Sequence, residues 1–239
     1  MYSEVFMSIT SLPETNRIMI VTGHYGSGKT EFSVSLAMAR RREGKAKLAV
    51  VDLDIANPYF RSRERRAELE AAGIGVYGSL YNTEVTAELP ALGASLRAPL
   101  EQKDTQVIVD AGGNDSGALV LNQFRKYFTE DDSTALAVVN FSRFETRTVE
   151  TAVEHIHAIE QVTKLPITYI VNNTHLLRET TAETILRGHE LTLTLCEKLG
   201  KKLYCDCYPA PVVDASELQE FRETLFPLEM YMRQSWHDR

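Results

Sequence analysis

Eight consecutive residues near the N-terminus have the types and spacing of a phosphate-binding site. The segment 23–30 reads GHYGSGKT and fits G-x-x-x-x-G-K-[ST] at every position. Glycines in this pattern let the main chain turn tightly, so that its N–H groups surround a phosphate and the following helix points its positive end at the anion. The segment therefore predicts these nucleotide-binding residues: Gly23, His24, Tyr25, Gly26, Ser27, Gly28, Lys29 and Thr30.

Two side chains at the end of this segment indicate which ligand it binds. Lys29 has the position from which an ammonium group reaches the β- and γ-phosphates, and the Thr30 hydroxyl has the position of a Mg²⁺ ligand. The alternative is a glycine-rich turn that carries a lysine by chance. However, the flanking residues match a strand and a helix, as the pattern requires. We therefore expect a nucleoside triphosphate and Mg²⁺ at this loop.

Acidic residues follow two other apolar segments. Asp52 and Asp54 lie in VVDLDIANPYF, and Asp110 lies in VIVDAGGND. Ligands of parallel α/β sheets bind at the carboxyl ends of the strands, so we expect these carboxylates beside the loop, one near the metal and another holding the attacking water. Gly112 and Gly113 permit a backbone that senses the γ-phosphate and moves after hydrolysis. The competing interpretation is a set of solvated strand ends.

The elements that position these residues follow from an alternation of apolar runs and helical patterns. Strands are predicted at 17–23, 47–55, 74–78, 105–113, 134–142, 166–173 and 202–209, with helices between them and a terminal helix at 214–226. Parallel strands need crossover connections, so the series predicts a mostly parallel central sheet with helices on both faces, a three-layer α/β fold. We expect an N-terminal arm at 1–16 and a single nucleotide-binding domain at 17–239.

Composition restricts the classes of function. The chain has 239 residues and a formal net charge of −7, which argues against a protein that coats nucleic acid. The sequence has neither an apolar run that could cross a bilayer nor a leader pattern, so a cytoplasmic protein is expected. The C-terminal segment carries as many acidic as basic residues and a proline, which argues against a membrane-binding helix.

The loop and the three carboxylates together resemble the MinD/ParA/Mrp group of P-loop ATPases, also described as the CobQ/CobB/MinD/ParA nucleotide-binding domain family, from about Arg17 to Pro211. The resemblance implies ATP and Mg²⁺ as ligands. It implies Lys29, Asp54 and Asp110 as catalytic residues, with Asp54 positioning water. It also implies that Thr30, Asp52 and Asp110 surround the metal.

The same resemblance implies where adenine binds. Asn172 and Asn173 end a predicted strand, and Pro209 and Pro211 lie in a later loop, as in that family. The residues themselves also favour ATP over GTP. Guanine-specific loops of the Asn-Lys-x-Asp type use an aspartate to accept from the base, whereas NNTH has His175 at that place. The alternative for the two asparagines is an ordinary turn.

This sequence departs from the family in one residue of the loop. The early signature lysine, which reaches across a dimer, is replaced by His24, a poor substitute for a permanent cation. Arg61 and Arg63 can supply the missing charge, although arginines in such a segment more often form a solvated helix face. The predicted partners are therefore an unidentified client protein and, as a second possibility, another copy of the chain in a homodimer.

Two cysteines define a further candidate site. Cys205 and Cys207 share one face of a predicted strand, so two copies of the chain can in principle build a four-thiolate metal site. Burial of both thiols in the core is the stronger interpretation, because cysteine is among the most buried residue types.

The expected function is a Mg²⁺-dependent ATPase that acts as a nucleotide-driven switch on an unidentified client protein. Three alternatives stay open on the same scaffold: an ATP-dependent small-molecule kinase or ligase, a metallocentre-maturation ATPase, and an ATP-binding module without hydrolysis.

Overall fold

A computed structural model describes residues 12–44, 47–54, 65–78, 89–113 and 120–232. Its centre is a sheet of eight parallel strands in the order β3-β2-β4-β1-β5-β6-β7-β8. The strands are β1 (Ile18–Gly23), β2 (Leu48–Asp52), β3 (Gly75–Tyr77), β4 (Gln106–Asp110), β5 (Ser133–Val139), β6 (Tyr169–Asn172), β7 (Lys202–Pro209) and β8 (Leu225–Leu228).

Helices cover both faces of this sheet. The helices with complete bounds are α1 (Lys29–Arg42), α2 (Arg66–Ala71), α3 (Leu89–Glu101), α4 (Val149–Thr163) and α5 (Ala182–Leu199). Alternate residues of β1 enter different core clusters: Ile18 and Ile20 pack with α3 and α4, whereas Met19 and Val21 pack with α1 and α2. This three-layer arrangement confirms the predicted fold class. None of the helices in these residues is long and apolar enough to span a membrane.

The C-terminal part of the fold differs from the prediction of a terminal helix. Asp214 does cap a turn, because its carboxylate accepts from the Ser216 N–H at 2.8 Å. The turn continues only as a 3₁₀ helix to Phe221, with non-helical dihedral angles at Leu218. The chain then forms β8, whose backbone hydrogen-bonds to the outer edge of β7. Pro227 lacks an N–H group and is tolerated in β8 because this strand lies at the edge of the sheet.

The segment after β8 is attached to the first turn of α1. The buried carboxylate of Glu31 accepts from the backbone N–H groups of Tyr231 at 2.8 Å and Met232 at 2.7 Å. The Ser35 hydroxyl donates to the same carboxylate at 3.1 Å. Burial raises the pKa of Glu31, and these hydrogen bonds oppose that shift. A residue next to Thr30 therefore holds the C-terminal segment in place.

We expect Glu31→Ala to release this segment selectively. The substitution leaves two backbone N–H groups without their acceptor, at a cost of about 1–3 kcal/mol each where they stay buried. Hydrogen exchange at Tyr231 and Met232 should accelerate at least tenfold, while exchange in β1 changes little. Glu43→Ala, a substitution of an exposed residue just beyond the C-terminal end of α1, is the matched control. Unchanged exchange at both amides in Glu31→Ala would show that the carboxylate does not hold them.

Candidate functional site

The glycine-rich loop lies between β1 and α1, at the carboxyl edge of the sheet. Gly26 and Gly28 have φ angles of 77° and 84°, a backbone region that residues with a Cβ atom rarely adopt. Gly28 directly precedes α1, so the N-terminal end of that helix follows the loop without a connecting segment. The predicted strand–loop–helix unit is therefore present with the backbone that a phosphate-binding loop requires.

Strand pairing brings the predicted carboxylates to this loop. In the parallel register, Asp110 of β4 lies opposite both Val21 of β1 and Asp52 of β2. The Leu53 N–H donates to the Asp110 carbonyl oxygen at 2.8 Å, and the Asp54 N–H donates to an Asp52 carboxylate oxygen at 3.1 Å. Three acidic side chains thus converge beside α1.

Lys29 forms a buried ion pair with one of these carboxylates. Its Nζ atom lies 2.8 Å from Oδ2 of Asp54, and the side chains are only 5% and 3% exposed. Water is nearly excluded from the pair, so each charge depends on the other for its solvation. The residue expected to bind phosphate and the residue expected to position water are therefore partners in this state.

Asp110 is a strongly perturbed carboxyl group of the site. Burial raises its pKa to about 8, and the negative charges of Asp52 and Asp54 act in the same direction, whereas Lys29 and the Thr30 hydroxyl oppose them. Among the described residues, neither carboxylate oxygen of Asp110 has a hydrogen bond of good geometry. A buried carboxylate beside a threonine hydroxyl, with acceptor capacity left over, is the chemistry that a Mg²⁺ ion fits.

Gly113 is required by a close backbone approach. A Cβ atom on this residue would lie 1.9 Å from the carbonyl oxygen of Gly23, at the start of the loop. The segment after β4 and the loop after β1 can therefore touch only because Gly113 has no side chain. This contact couples the predicted γ-phosphate-sensing segment to the loop itself.

We expect Gly113→Ala to separate these two segments. The clash involves backbone atoms that cannot turn away, so the free energy of unfolding should fall by about 3 kcal/mol or more, with loss of nucleotide affinity. Gly200→Ala is the control: a Cβ atom there meets nothing within 4 Å, although its φ of 62° is strained for alanine. Urea unfolding of both variants should show the larger loss for Gly113→Ala. The reverse ranking would contradict the steric argument.

The two neighbouring asparagines at the end of β6 have different environments. Asn173 donates from Nδ2 to the carbonyl oxygen of Ser27 at 2.6 Å, so it contacts the loop directly. Asn172 donates to Asp206 at 2.8 Å and accepts from the Thr174 N–H at 3.1 Å, so both of its amide atoms are used inside the protein. Of the two predicted adenine-binding asparagines, the structure brings only Asn173 to the loop.

His175 is also part of this edge. Its Nδ1 atom accepts from the Leu177 N–H at 3.3 Å, and its ring is almost fully buried. Burial and the nearby Arg143 charge lower the pKa of His175 to about 4, so the ring is neutral at pH 7 and carries its proton on Nε2. A side chain at Gly28 would contact both His175 and Asn173. This places both residues against the loop.

The predicted prolines lie at the carboxyl end of the neighbouring strand. The Pro209 carbonyl oxygen accepts from the Val212 and Val213 N–H groups at 2.9 and 3.0 Å, which closes a turn, and Pro211 is exposed in that turn. Arg61 and Arg63 lie outside the described residues.

Two side chains near the loop were missed by sequence reasoning. Arg143 follows β5 and donates from Nε to the Gly26 carbonyl oxygen at 3.0 Å. His155 of α4 packs edge-to-face on His24, with ring centroids 4.9 Å apart. Burial, with help from His24 and Lys29, lowers the pKa of His155 to about 4. The sequence pattern gives no signal for either contact, because Arg143 and His155 come close to the loop only through the order of the strands in the sheet.

Cys205 and Cys207 lie in the core rather than at a surface. Both are fully buried, with Sγ atoms 4.0 Å apart, and burial raises the pKa of Cys205 well above its ordinary value. Within the described part of the chain, no three His, Cys, Asp or Glu side chains are grouped so that they could hold a metal ion. A four-thiolate site between two copies would require this core to open.

No protein-family model and no curated protein matches the chain. Solved structures do match. The cell division protein FtsY of Thermotoga maritima is 19% identical with a TM-score of 0.55, and the match covers 83% of this chain and 64% of that one. The signal recognition particle 54 kDa protein of Aeropyrum pernix, solved with GDP, is 20% identical with a TM-score of 0.51; the match covers 84% of this chain and 43% of that one.

A third match is the signal recognition particle receptor FtsY of Elizabethkingia anophelis, also solved with GDP. It is 16% identical with a TM-score of 0.50, and the match covers 80% of this chain and 57% of that one. The chain thus spans roughly half to two thirds of the length of these structures. At such identities the likeness shows the fold alone.

These matches correct the family resemblance. The assignment to the MinD/ParA/Mrp group is wrong, because the matching structures are FtsY and signal recognition particle proteins. The physical reason is that the loop and the strand-end carboxylates meet the needs of phosphate binding, which many families share, while the residue that marks that group is replaced by His24. The chain has the α/β fold of P-loop nucleotide-binding proteins, with an all-parallel central sheet.

Proposed function

We propose that this chain is a Mg²⁺-dependent nucleoside triphosphatase that works as a switch on a partner protein. The observation that carries the proposal is the convergence of Lys29, Thr30 and three carboxylates at one loop of the required backbone geometry. The fold alone does not assign an activity, so the proposal rests on this site.

The residues divide the work of phosphate cleavage. Backbone N–H groups of the loop bind the phosphates, and Lys29 neutralises charge on the β- and γ-phosphates. Thr30, Asp52 and Asp110 would hold Mg²⁺, which neutralises the phosphate oxygens when bound. Asp54 positions the attacking water.

The Lys29–Asp54 ion pair gives the site two states. A phosphate that binds Lys29 competes with Asp54 for the same ammonium group, which lies 2.8 Å from the carboxylate in this structure. Phosphate binding therefore releases Asp54 toward water, and loss of the phosphate restores the pair. This exchange of Lys29 between Asp54 and phosphate is the origin of the signal to a partner or a second copy of the chain.

Two atoms support adenine as the base. Oδ1 of Asn173 is a buried acceptor and Nε2–H of His175 is a buried donor, and neither has a hydrogen bond among the described residues. Adenine offers an amino donor beside a ring-nitrogen acceptor on both its N7 and its N1 side, whereas guanine has two acceptors at N7 and O6 and fits these atoms only through O6 and N1–H. A protonated Nε2 also cannot accept from the N1 and N2 groups of guanine. We therefore propose ATP as the substrate.

GTP is the second candidate, because two of the matching structures contain GDP. Calorimetry with ADP and GDP, followed by turnover with ATP and GTP in Mg²⁺ or in EDTA, decides between them. We expect at least tenfold tighter binding of ADP and turnover that EDTA removes. Tighter binding of GDP would make GTP the proposed substrate instead of ATP. If neither ADP nor GDP bound, the proposed function would be overturned.

A further inference from the structure

Arg143 is held against the phosphate-binding loop by a rigid connection. Strand β5 pairs with β1, with Gly23 opposite Val138, so the chain leaves β5 beside the loop. The Arg143 N–H then donates to the Asn140 carbonyl oxygen at 3.1 Å, and the Thr146 hydroxyl donates to the same oxygen at 2.7 Å. These bonds fix the backbone from which the arginine side chain extends.

One nitrogen of the Arg143 side chain holds it against the loop, and its two terminal nitrogens are left to bind a ligand. Its Nε–H donates to the Gly26 carbonyl oxygen at 3.0 Å, while the residue as a whole is exposed. Within the described ranges, the terminal nitrogens of Arg143 have no hydrogen bond or ion pair. The guanidinium charge reaches the site, because it contributes to the lowered pKa of His175. The planar guanidinium group of Arg143 is thus oriented at the loop, and its terminal N–H groups can still donate hydrogen bonds.

The other basic groups of the loop are already engaged. Lys29 pairs with Asp54. His24, in the position of the missing signature lysine, donates from Nδ1 to the Tyr25 carbonyl oxygen at 2.7 Å and packs on His155. A triphosphate carries more negative charge than Mg²⁺ and one lysine neutralise, so the site needs a further cation.

We propose that Arg143 supplies this cation within the same chain and contacts the terminal phosphates during cleavage. The inference rests on the proposed function and names a catalytic residue of that site. In the reaction, the bond from the γ-phosphorus to the bridging oxygen breaks and a bond from the water oxygen forms. The products are the nucleoside diphosphate, inorganic phosphate that keeps one proton of the water, and one proton released to solvent. The guanidinium stabilises the charge that develops on the bridging and γ-oxygens.

The test compares Arg143→Ala with Arg147→Ala. Arg147 is also exposed and lies four residues away, with its guanidinium 4.7 Å from the centre of the Phe144 ring, so it is a matched control. We expect kcat of Arg143→Ala to fall about 100-fold or more, with the Kd for ADP (or for GDP, if that is the nucleotide bound) changed less than threefold. Arg147→Ala should retain parental values.

Two further measurements separate a catalytic role from a structural one. The parent should form a complex with the nucleoside diphosphate, Mg²⁺ and aluminium fluoride, a mimic of the transferring phosphoryl group, and Arg143→Ala should not. Guanidinium ions at millimolar concentration should restore part of its turnover. Arg143→Lys should also lose at least tenfold in kcat, because lysine lacks the planar fork whose separate nitrogens can contact the Gly26 carbonyl oxygen and phosphate together. If Arg143→Ala does not fold by urea unfolding, Arg143→Lys provides the same comparison.

The outcomes distinguish this proposal from the function on which it rests. Parental turnover in Arg143→Ala, or loss of diphosphate affinity as large as the loss of kcat, would overturn the role of Arg143 and leave the nucleotide site intact. A parent protein that binds neither ADP nor GDP would overturn the proposed function and, with it, this inference.

Discussion

Lys29→Met will remove Mg²⁺-dependent turnover and also destabilise the folded protein. Methionine keeps the length and much of the volume of lysine, so the main change is the loss of a positive charge. Phosphate loses its cation, and Asp54 becomes a buried carboxylate without its ion-pair partner. Breaking a buried pair from one side costs about 3–5 kcal/mol. We expect turnover to fall at least a thousandfold and the urea midpoint to shift accordingly.

A double variant separates the two effects. In Lys29→Met with Asp54→Asn, the unpaired charge is gone, so most of the lost stability should return while turnover stays absent. The coupling free energy between the two positions, measured from the urea unfolding of the four proteins, should be about 2 kcal/mol or larger. Additive effects on stability would mean that the two side chains do not interact in solution, and the exchange of Lys29 between Asp54 and phosphate would lose its basis.

The parts of the site that sequence reasoning identified are those with local signals. Gly26 and Gly28 have the positive φ angles that a glycine-rich loop predicts, and Asp52 and Asp110 end apolar strands as expected. These features depend on the order of residues within a few positions. They also recur in many families with the same chemistry, which is why the family was misassigned while the fold class was correct.

The missed features depend on which strands become neighbours. Arg143 and Gly26 are 117 residues apart, and they meet only because β5 pairs with β1. Asn172 and Asn173 look equivalent in sequence, yet their side chains have different partners, Asp206 and the loop. Successive residues of a strand point to opposite faces, so the choice between them depends on the register with β7. The sequence did not predict strand β8, because its four residues directly follow a segment with a helical pattern.

Asp110→Asn will make the protein more stable without ligand and inactive with it. The carboxyl group has a pKa of about 8 in the fold, against an ordinary value of 3.8, because it is buried beside Asp52 and Asp54. A raised pKa means that the ionised form is disfavoured in the fold. The contribution of this group to stability is therefore complete below about pH 4 and is lost progressively as the pH rises to about 8.

Asparagine has no charge to bury, so its advantage should depend on pH. At pH 8 without Mg²⁺ or nucleotide, Asp110→Asn should unfold with a free energy at least about 1 kcal/mol above that of the parent, and at pH 4 the difference should nearly vanish. Asp104→Asn is the control, because Asp104 is exposed and its pKa is lowered by hydrogen bonding to Lys47. It should show no gain that grows with pH. An equal gain for Asp110→Asn at both pH values would point to packing instead of charge.

The same charges explain why this gain accompanies loss of function. The three carboxylates repel one another in a buried site that holds only one lysine, and a bound divalent cation would relieve that repulsion. Mg²⁺ with nucleotide should therefore raise the thermal midpoint of the parent more than that of Asp110→Asn, by several degrees at saturating concentrations. In the unliganded fold, Asp110 therefore carries an electrostatic cost that Mg²⁺ binding would remove.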